Sequence, residues 1–324
     1  MEQVNQPKTP VSLSIVFSFF NEEEVLPQLI SRTRKALKDE QQKGTVSNYE
    51  LIFVNDRSTD NSVNVLMEQD KSKEDIRIIN MSRNFGVSPC VLAGMKKASG
   101  DLVVYMDADL QDPPELISEL IDAWKKGDNI DVVHTVRTKR RGEGKIKLLI
   151  TKIGYRILHS ISSLKIPIET GDFKLLTRRA IDHLISFKEK RPFIRGLVCW
   201  IGFNQARVFY VRPPRAAGKT KFSVFGLKVI SNFLESALIS FSSTPLQVSS
   251  IFAVFLIVTS IGFFIASFMF KANAVVLSIV AAIFFVGSII LFCLGIIGFY
   301  LTNIFEETKK RPNYIIDSTY GFKE

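Results

Sequence analysis

The sequence predicts an α/β protein with a mainly parallel sheet and flanking helices, followed by a membrane-associated C-terminal region. Three observations carry this prediction. Short β-branched and aromatic runs alternate with helix-like segments through residues 11–136. Polar and acidic residues follow directly on these runs, as they do in ligand-binding loops at the carboxyl ends of parallel strands. Residues 246–301 are almost free of charge.

Five strands are predicted from short apolar runs that end in polar or turn-forming residues. In chain order they are Leu13–Phe19, Tyr49–Val54, Ile76–Met81, Asp101–Met106 and Val132–Val136. Helices are predicted between them from apolar spacing and from capping residues. They are Glu24–Leu37, capped by Asn21, a helix opened by Asp60-Asn61-Ser62, Ser88–Ala98, and a helix opened by Pro113-Pro114.

The C-terminal half contains two uncharged runs, each at least as long as the ~20 apolar residues that cross a bilayer as a helix. We therefore predict transmembrane helices at about 248–270 and 275–301, joined by a short turn near Lys271. Two amphipathic stretches, 145–168 and 222–244, are predicted to lie in the membrane interface. Packing as ordinary core helices of the soluble domain remains the alternative for both stretches.

These elements divide the chain into five parts. They are an N-terminal tail (1–10), an α/β domain (11–221), an interfacial helix (222–244), a membrane hairpin (245–303) and a C-terminal tail (304–324). Lys309-Lys310-Arg311 follows the second span. The positive-inside rule then predicts an integral protein of the plasma (inner) membrane with the α/β domain and both termini in the cytoplasm.

The net charge of +10 and the pI of about 9.4 favour an anionic partner. A membrane surface is favoured over nucleic acid, because the basic clusters carry no zinc-finger spacing and no aromatic RNA-binding signature. The three cysteines are odd in number and without pattern, which predicts neither a disulfide framework nor a zinc site. Glycine-rich phosphate-binding motifs are absent from the strand–helix turns, which argues against Rossmann and P-loop classes.

An acidic turn, with Asp107, Asp109 and Asp112, follows the fourth predicted strand. Asp107 and Asp109 are two residues apart, so in an extended segment their side chains share one face. Carboxylate oxygens at this position suit Mg²⁺ or Mn²⁺, and such a metal bridges substrate phosphates. A solvated turn with helix-capping aspartates is the alternative. We assign Asp112, next to Pro113-Pro114, to the start of the following helix.

Six motifs in order carry a resemblance to a known family. They are FNEE at 20–23, VNDRSTD at 54–60, RNFG at 83–86, DADLQDPP at 107–114, GDFK at 171–174 and RAAGKTK at 215–221. Over residues 11–305 the chain resembles the polyprenyl-phosphate glycosyltransferases of glycosyltransferase family 2, relatives of dolichol-phosphate mannose synthase. The resemblance implies a GT-A fold and an inverting transfer from a nucleotide sugar to polyprenyl phosphate.

The resemblance also implies residue roles. The donor nucleotide sugar is expected to contact Asn21, Glu23, Asp56, Arg83, Asp107 and Asp109. Asp109 and Gln111 are expected to bind Mg²⁺ or Mn²⁺, and Asp109 and Asp172 to take part in catalysis, with Asp172 as a base or an orienting group. A separate observation concerns Arg215, Lys219 and Lys221, a basic cluster just before the predicted interfacial helix. The lipid phosphate is expected there, with general attraction to anionic headgroups as the alternative.

Lys174 departs from the family, which usually has arginine after Gly-Asp-Phe, and an ammonium cannot grip an oxyanion bidentately. UDP-glucose is the expected donor, with GDP-mannose or an amino-sugar nucleotide as alternatives. Expected partners are the bilayer, a second copy of the chain and a separate flippase for the product. A nucleotidyltransferase and a non-enzymatic membrane-anchored binding protein are the competing classes.

Overall fold

The computed structural model describes residues 10–70, 74–140, 170–190, 192–212, 259 and 272–322. The strands are β1 Val11–Phe19, β2 Val46–Asn55, β3 Ile76–Met81, β4 Leu102–Asp107, β5 Val132–Arg140, β6 Thr170–Thr177, β7 Gln205–Arg212 and β8 Ile316–Tyr320. The helices are α1 Leu26–Gln42, α2 Ser62–Asp70, α3 Val87–Lys97, α4 Leu116–Lys126, α5 Arg178–Ser186, α6 Ile194–Trp200 and α7 Ala272–Thr308.

All eight strands form one sheet in the order β7-β5-β6-β4-β1-β2-β3-β8. The central strands β4, β1, β2 and β3 are parallel, as the alternation of strands and helices predicts. Strand β6 runs antiparallel to β4 and β5, and β8 runs antiparallel to β3. The sheet is therefore mixed, and the predicted mainly parallel arrangement holds for its centre.

Both faces of the sheet are buried, which explains why β1 reads as a nearly continuous apolar run. Ile15 and Phe17 point into the layer beneath α1 and α4, where Phe17 stacks on Phe53 with ring centroids 4.7 Å apart. Val16 points into the opposite layer, which α3, α5 and α6 cover. The five strands predicted from the sequence are all present, with ends shifted by a few residues.

Helix α1 begins at Leu26, two residues after the predicted start, with Pro27 in its first turn. Asn21 does not cap it. The Asn21 backbone has φ 53°, in the left-handed region that asparagine tolerates better than most residues. The Asn21 side chain accepts a hydrogen bond from the Thr59 backbone N–H at 2.8 Å, so it serves the neighbouring loop.

Helix α7 contains the second predicted span, 275–301, and continues to Thr308. Within it, Phe285–Thr308 is long and apolar enough to cross a membrane by length and composition. Apart from residue 259, the predicted span 248–270 and both predicted interfacial helices, 145–168 and 222–244, lie outside the described residues, so the hairpin itself stays a prediction.

The predicted boundary between hairpin and tail, at 303/304, falls inside α7. Beyond the helix, the segment expected to be only a tail returns to the domain and adds β8 to the sheet edge. The short sequence IDSTY of β8 lacks the apolar run on which strand prediction depends.

Candidate active site

The residues singled out by the sequence meet at the carboxyl edge of the central parallel strands. The register brings Ser18 of β1 opposite Asp107 of β4, and Phe19 opposite Asn55 of β2. The loops that leave these strands therefore share one edge of the sheet, which is where open α/β sheets bind ligands.

Two loops at this edge fasten each other. Asn21 donates its backbone N–H to Ser58 Oγ at 3.0 Å, in addition to its contact with Thr59. The Glu23 carboxylate accepts the Asn61 N–H at 2.8 Å, and the Asp60 carboxylate accepts the Glu23 N–H at 3.2 Å. Asn21 and Glu23, predicted as donor-site residues, thus hold the loop that carries Asp56.

Asp56 organises the next loop along the edge. Its carboxylate oxygens accept backbone N–H groups of Phe85 at 2.6 Å and of Gly86 at 2.9 Å. Burial and the Asp56 charge raise the pKa of the Cys90 thiol, so this cysteine stays protonated and inert. Arg83 is exposed, and its guanidinium lies 4.0 Å from the centre of the Phe85 ring.

The acidic turn at the end of β4 folds around a buried leucine. Leu110 has φ 57° and is buried, so the flanking Asp109 and Gln111 are directed away from the core and stay partly exposed. The Gln111 N–H donates to Asp109 Oδ1 at 3.1 Å, and Ser18 Oγ donates to Asp107 Oδ1 at 3.3 Å. The predicted metal ligands Asp109 and Gln111 therefore stand side by side.

Asp112 differs from the prediction. Helix α4 starts only at Leu116, and Asp112 is fully buried. Its carboxylate accepts a hydrogen bond from the Tyr210 hydroxyl and contacts the Arg137 guanidinium at 3.3 Å. The assignment of Asp112 to a helix start was therefore wrong. A buried carboxylate without a cation or hydrogen-bond donors costs several kcal/mol, which is more than a helix cap contributes, so Asp112 pairs with Arg137 and Tyr210 instead.

Asp172 lies at the start of β6 and forms a bidentate ion pair with Arg195 of α6. Arg195 Nε donates to Asp172 Oδ1 at 2.7 Å, and Nη2 donates to Oδ2. Burial alone would raise the pKa of Asp172, but the Arg195 charge and its hydrogen bonds outweigh burial and lower it. A carboxylate with a lowered pKa is a weak base, so the geometry favours the orienting role over the base role for Asp172.

Asp107 has the opposite balance. Burial and the charges of Asp172, Asp109 and Asp112 raise the pKa of Asp107 to about 7, although Arg195 counteracts them. Three carboxylates of the turn and that of Asp172 therefore lie in one region with two arginines, Arg137 and Arg195. This excess of negative charge fits a cation bound at the partly exposed Asp109.

A cation at this turn would need ligands other than the side chains of the described residues. In the described ranges, no group of three or more His, Cys, Asp or Glu side chains is placed to share a metal. Asp109 and the Gln111 amide would leave most coordination positions open to other oxygen ligands, as is usual for Mg²⁺. The residues present therefore fit a substrate-bridging metal better than a closed structural site.

Behind the edge lies a layer of buried polar groups. Lys174 is fully buried and donates to the Gly171 carbonyl, and burial lowers its pKa to about 8. Burial, followed by the Lys174 charge, lowers the pKa of His134 to about 3. Lys174, which departs from the family's arginine, is therefore held inside the domain and does not reach the crevice.

Two residues of the site, Arg195 and Tyr210, are not among those that the sequence singles out, and Arg137, which stands in a basic run expected to form a loop, lies in a strand instead. Arg137 belongs to β5 and packs so closely on Gly171 that a Cβ there would lie 2.5 Å from its Nη2. A buried carboxylate requires a cationic partner, which predicts that such arginines exist. The sequence alone does not indicate which arginine pairs with which carboxylate. The predicted acceptor residues Arg215, Lys219 and Lys221 lie outside the described ranges.

Comparison with known proteins identifies the class. The family model "Glycosyl transferase family 2" matches residues 14–185. The uncharacterized glycosyltransferase YkcC of Bacillus subtilis is 39% identical over 97% of this chain and 95% of its own. A protein named bactoprenol glucosyl transferase from Shigella phage SfV is 34% identical over 94% of this chain and 98% of its own.

Among solved structures, glucosyl-3-phosphoglycerate synthase from Mycobacterium tuberculosis aligns with a TM-score of 0.47 at 18% identity, covering 70% of this chain and 79% of that chain. Such distant likeness transfers no function. The family match over more than half of the chain and the near full-length relatives do decide the class: the chain belongs to glycosyltransferase family 2.

Proposed function

We propose that this protein transfers a sugar, with inversion, from a nucleotide sugar to membrane-embedded polyprenyl phosphate. A phosphate oxygen of the lipid attacks the anomeric carbon as the bond to the nucleoside diphosphate breaks. The products are polyprenyl-phosphate-sugar and nucleoside diphosphate. The acceptor oxygen is already anionic near neutral pH, so positioning and charge stabilisation matter more than removal of a proton.

The observation that carries the proposal is the acidic turn at the end of β4, on the same sheet edge as the loops of Asn21 and Asp56. We assign Asp56 and the exposed Arg83 to the nucleotide, Asp107 to the ribose and diphosphate, and Asp109 with Gln111 to Mg²⁺ or Mn²⁺. A bound divalent cation would neutralise charge on the departing diphosphate.

Asp172 is assigned an orienting role. Its ion pair with Arg195 holds a carboxylate close enough to Asp107 to help raise the pKa of that residue. A fixed negative charge there favours the partial positive charge that develops at the anomeric carbon, and it holds Arg195 in place near the diphosphate.

The lipid acceptor is supported by the names of the bactoprenol glucosyl transferase relatives and by the apolar helix α7. We propose that Arg215, Lys219 and Lys221 bind the lipid phosphate. We further propose an integral protein of the plasma membrane with the α/β domain and both termini in the cytoplasm, self-associated in the bilayer. A separate flippase would move the product.

UDP-glucose is the proposed donor, because several relatives carry the name bactoprenol glucosyl transferase. GDP-mannose and amino-sugar nucleotides are the alternatives. The test is a panel of these donors with polyprenyl phosphate and Mn²⁺ or Mg²⁺, scored for glycolipid and for released nucleoside diphosphate. Pyrophosphate release would instead identify a nucleotidyltransferase.

The metal assignment is tested by Asp109→Ala, which should abolish metal-dependent transfer. The matched control is Asp122→Ala, which removes an exposed carboxylate on α4. Both variants should keep the wild-type melting temperature in detergent. Turnover of Asp109→Ala equal to that of Asp122→Ala would overturn the metal site.

A further inference from the structure

The end of α7 and the chain that follows it are fastened to the α/β domain by several hydrogen bonds. The Lys190 N–H donates to the Glu307 carboxylate at 2.6 Å, near the end of the helix. Asn313 Nδ2 then donates to the Glu189 carbonyl at 2.7 Å. Finally, the Ser82 N–H donates to the Ile315 carbonyl at 3.0 Å, one residue before Arg83. The segment therefore arrives at the sheet edge beside the predicted nucleotide loops.

A line of hydrogen bonds runs from β8 across the sheet edge. Asn80 of β3 donates to Ser318 Oγ at 3.0 Å and accepts from Asn55 of β2 at 3.0 Å. Asn55 Oδ1 in turn accepts the Ser58 N–H at 2.8 Å. Ser58 Oγ accepts the Asn21 N–H, as described above. Four contacts therefore join the C-terminal strand to the Asp56 loop and to Asn21.

A charged contact runs beside this line. Arg57 directly follows Asp56 and has φ 65°, and its guanidinium lies 3.9 Å from the Asp317 carboxylate of β8. More than half of each side chain is exposed, 59% for Arg57 and 54% for Asp317. An exposed pair of this kind adds little stability, so its effect is on where the Arg57 side chain points.

We propose that β8 is a positioning element for the donor nucleotide, and that Ser318 acts through Asn80 and Asn55 on the loop that carries Asp56. The proposal rests on the proposed function only in naming the ligand of that loop. Asn55 and Asn80 are amides whose two ends both bond, so each rotamer is fixed by its neighbours. Ser318, at one end of this line of hydrogen bonds, follows α7 in the chain.

The chemistry separates positioning from scaffolding. Ser318 is exposed, and β8 pairs with β3 through backbone bonds that Ser318→Ala leaves in place. Loss of the hydroxyl therefore frees the Asn80 amide without unfolding the strand. A merely structural residue would change the melting temperature and the active fraction, but it would leave the donor KM of the active molecules unchanged.

The experiment compares Ser318→Ala, Ser318→Thr and Thr319→Ala in full-length protein. Ser318→Thr keeps a hydroxyl, and Thr319→Ala removes an exposed side chain from the neighbouring position of the same strand. We expect Ser318→Ala to raise the donor KM by about two- to tenfold with kcat unchanged, the effect of one net hydrogen bond. Ser318→Thr and Thr319→Ala should match the wild type.

Amide hydrogen exchange of residues 55–62, measured without donor, gives a readout that is independent of the substrate. Faster exchange there in Ser318→Ala than in Thr319→Ala supports the line of bonds. Equal exchange together with an equal donor KM overturns it. Absence of transfer by the wild-type protein with every nucleotide sugar would refute the proposed function, and the exchange comparison would still decide the positioning of the loop.

Discussion

Replacement of Arg195 by methionine should destabilise the protein and impair transfer, because it leaves Asp172 without its guanidinium partner. The Asp172 side chain is 18% exposed and the Arg195 side chain 33% exposed. Breaking a fully buried ion pair costs about 3–5 kcal/mol, and partial exposure of the arginine lowers the expected loss to about 2–3 kcal/mol. For a domain of this size, that is a fall in melting temperature of about 4–12 °C.

The control is Arg32→Met. Arg32 forms the same bidentate pair with Glu115, at 2.8 and 2.7 Å, but the two side chains are 34% and 55% exposed. That pair should contribute at most about 1 kcal/mol. The double variant Asp172→Asn/Arg195→Met should recover much of the stability lost in Arg195→Met, since no unpaired charge remains, but it should not recover the transfer rate.

The assay is thermal unfolding by circular dichroism in detergent, with initial transfer rates measured across pH. Without Arg195 the pKa of Asp172 should rise, because burial is then the dominant effect. The acidic limit of activity should therefore move to higher pH. Equal melting temperatures and pH profiles for Arg195→Met and Arg32→Met would refute the reasoning.

Two further predictions concern residues near this pair. Gly171→Ala should push the Arg137 guanidinium away from Asp112 and lower the free energy of unfolding by about 1–2 kcal/mol. In an Arg137→Met background the same change should cost little more. Additive losses of the two variants would contradict this contact. Burial lowers the pKa of His134 from its ordinary 6.5 to about 3 in the folded protein, so the unfolded chain binds this proton first as the pH falls. Stability should therefore fall below pH 6.5, by about 3 kcal/mol at pH 4. Denaturant unfolding of His134→Gln should show a shallower acid loss, and an unchanged slope would reject the assignment.

The first five strands are predictable because each is an apolar run that stops at a polar residue, and both signals are local. The position of Asp107 and Asp109 follows from the same signals, since parallel strands align their carboxyl ends. The alternation thus locates the site before any side-chain partner is known.

Side-chain pairing joins residues that are far apart in the chain, so the sequence does not predict which side chains pair. Asp112 meets Tyr210, and Asp172 meets Arg195, only after the sheet has brought β4, β5, β6 and β7 together. Strand β8 is not predicted from the sequence for a different reason. It is an edge strand exposed along most of its length, so it has no alternating hydrophobic pattern.

The return of the chain to the sheet restricts the number of times that the chain can cross a membrane. The polypeptide leaves the sheet at Arg212 and rejoins it at Ile316, so both points lie on the same side of any membrane. If α7 crosses a bilayer once, the total number of crossings between Arg212 and Ile316 has to be even for β8 to reach its place beside β3. The other span predicted from the sequence, 248–270, would make that number two.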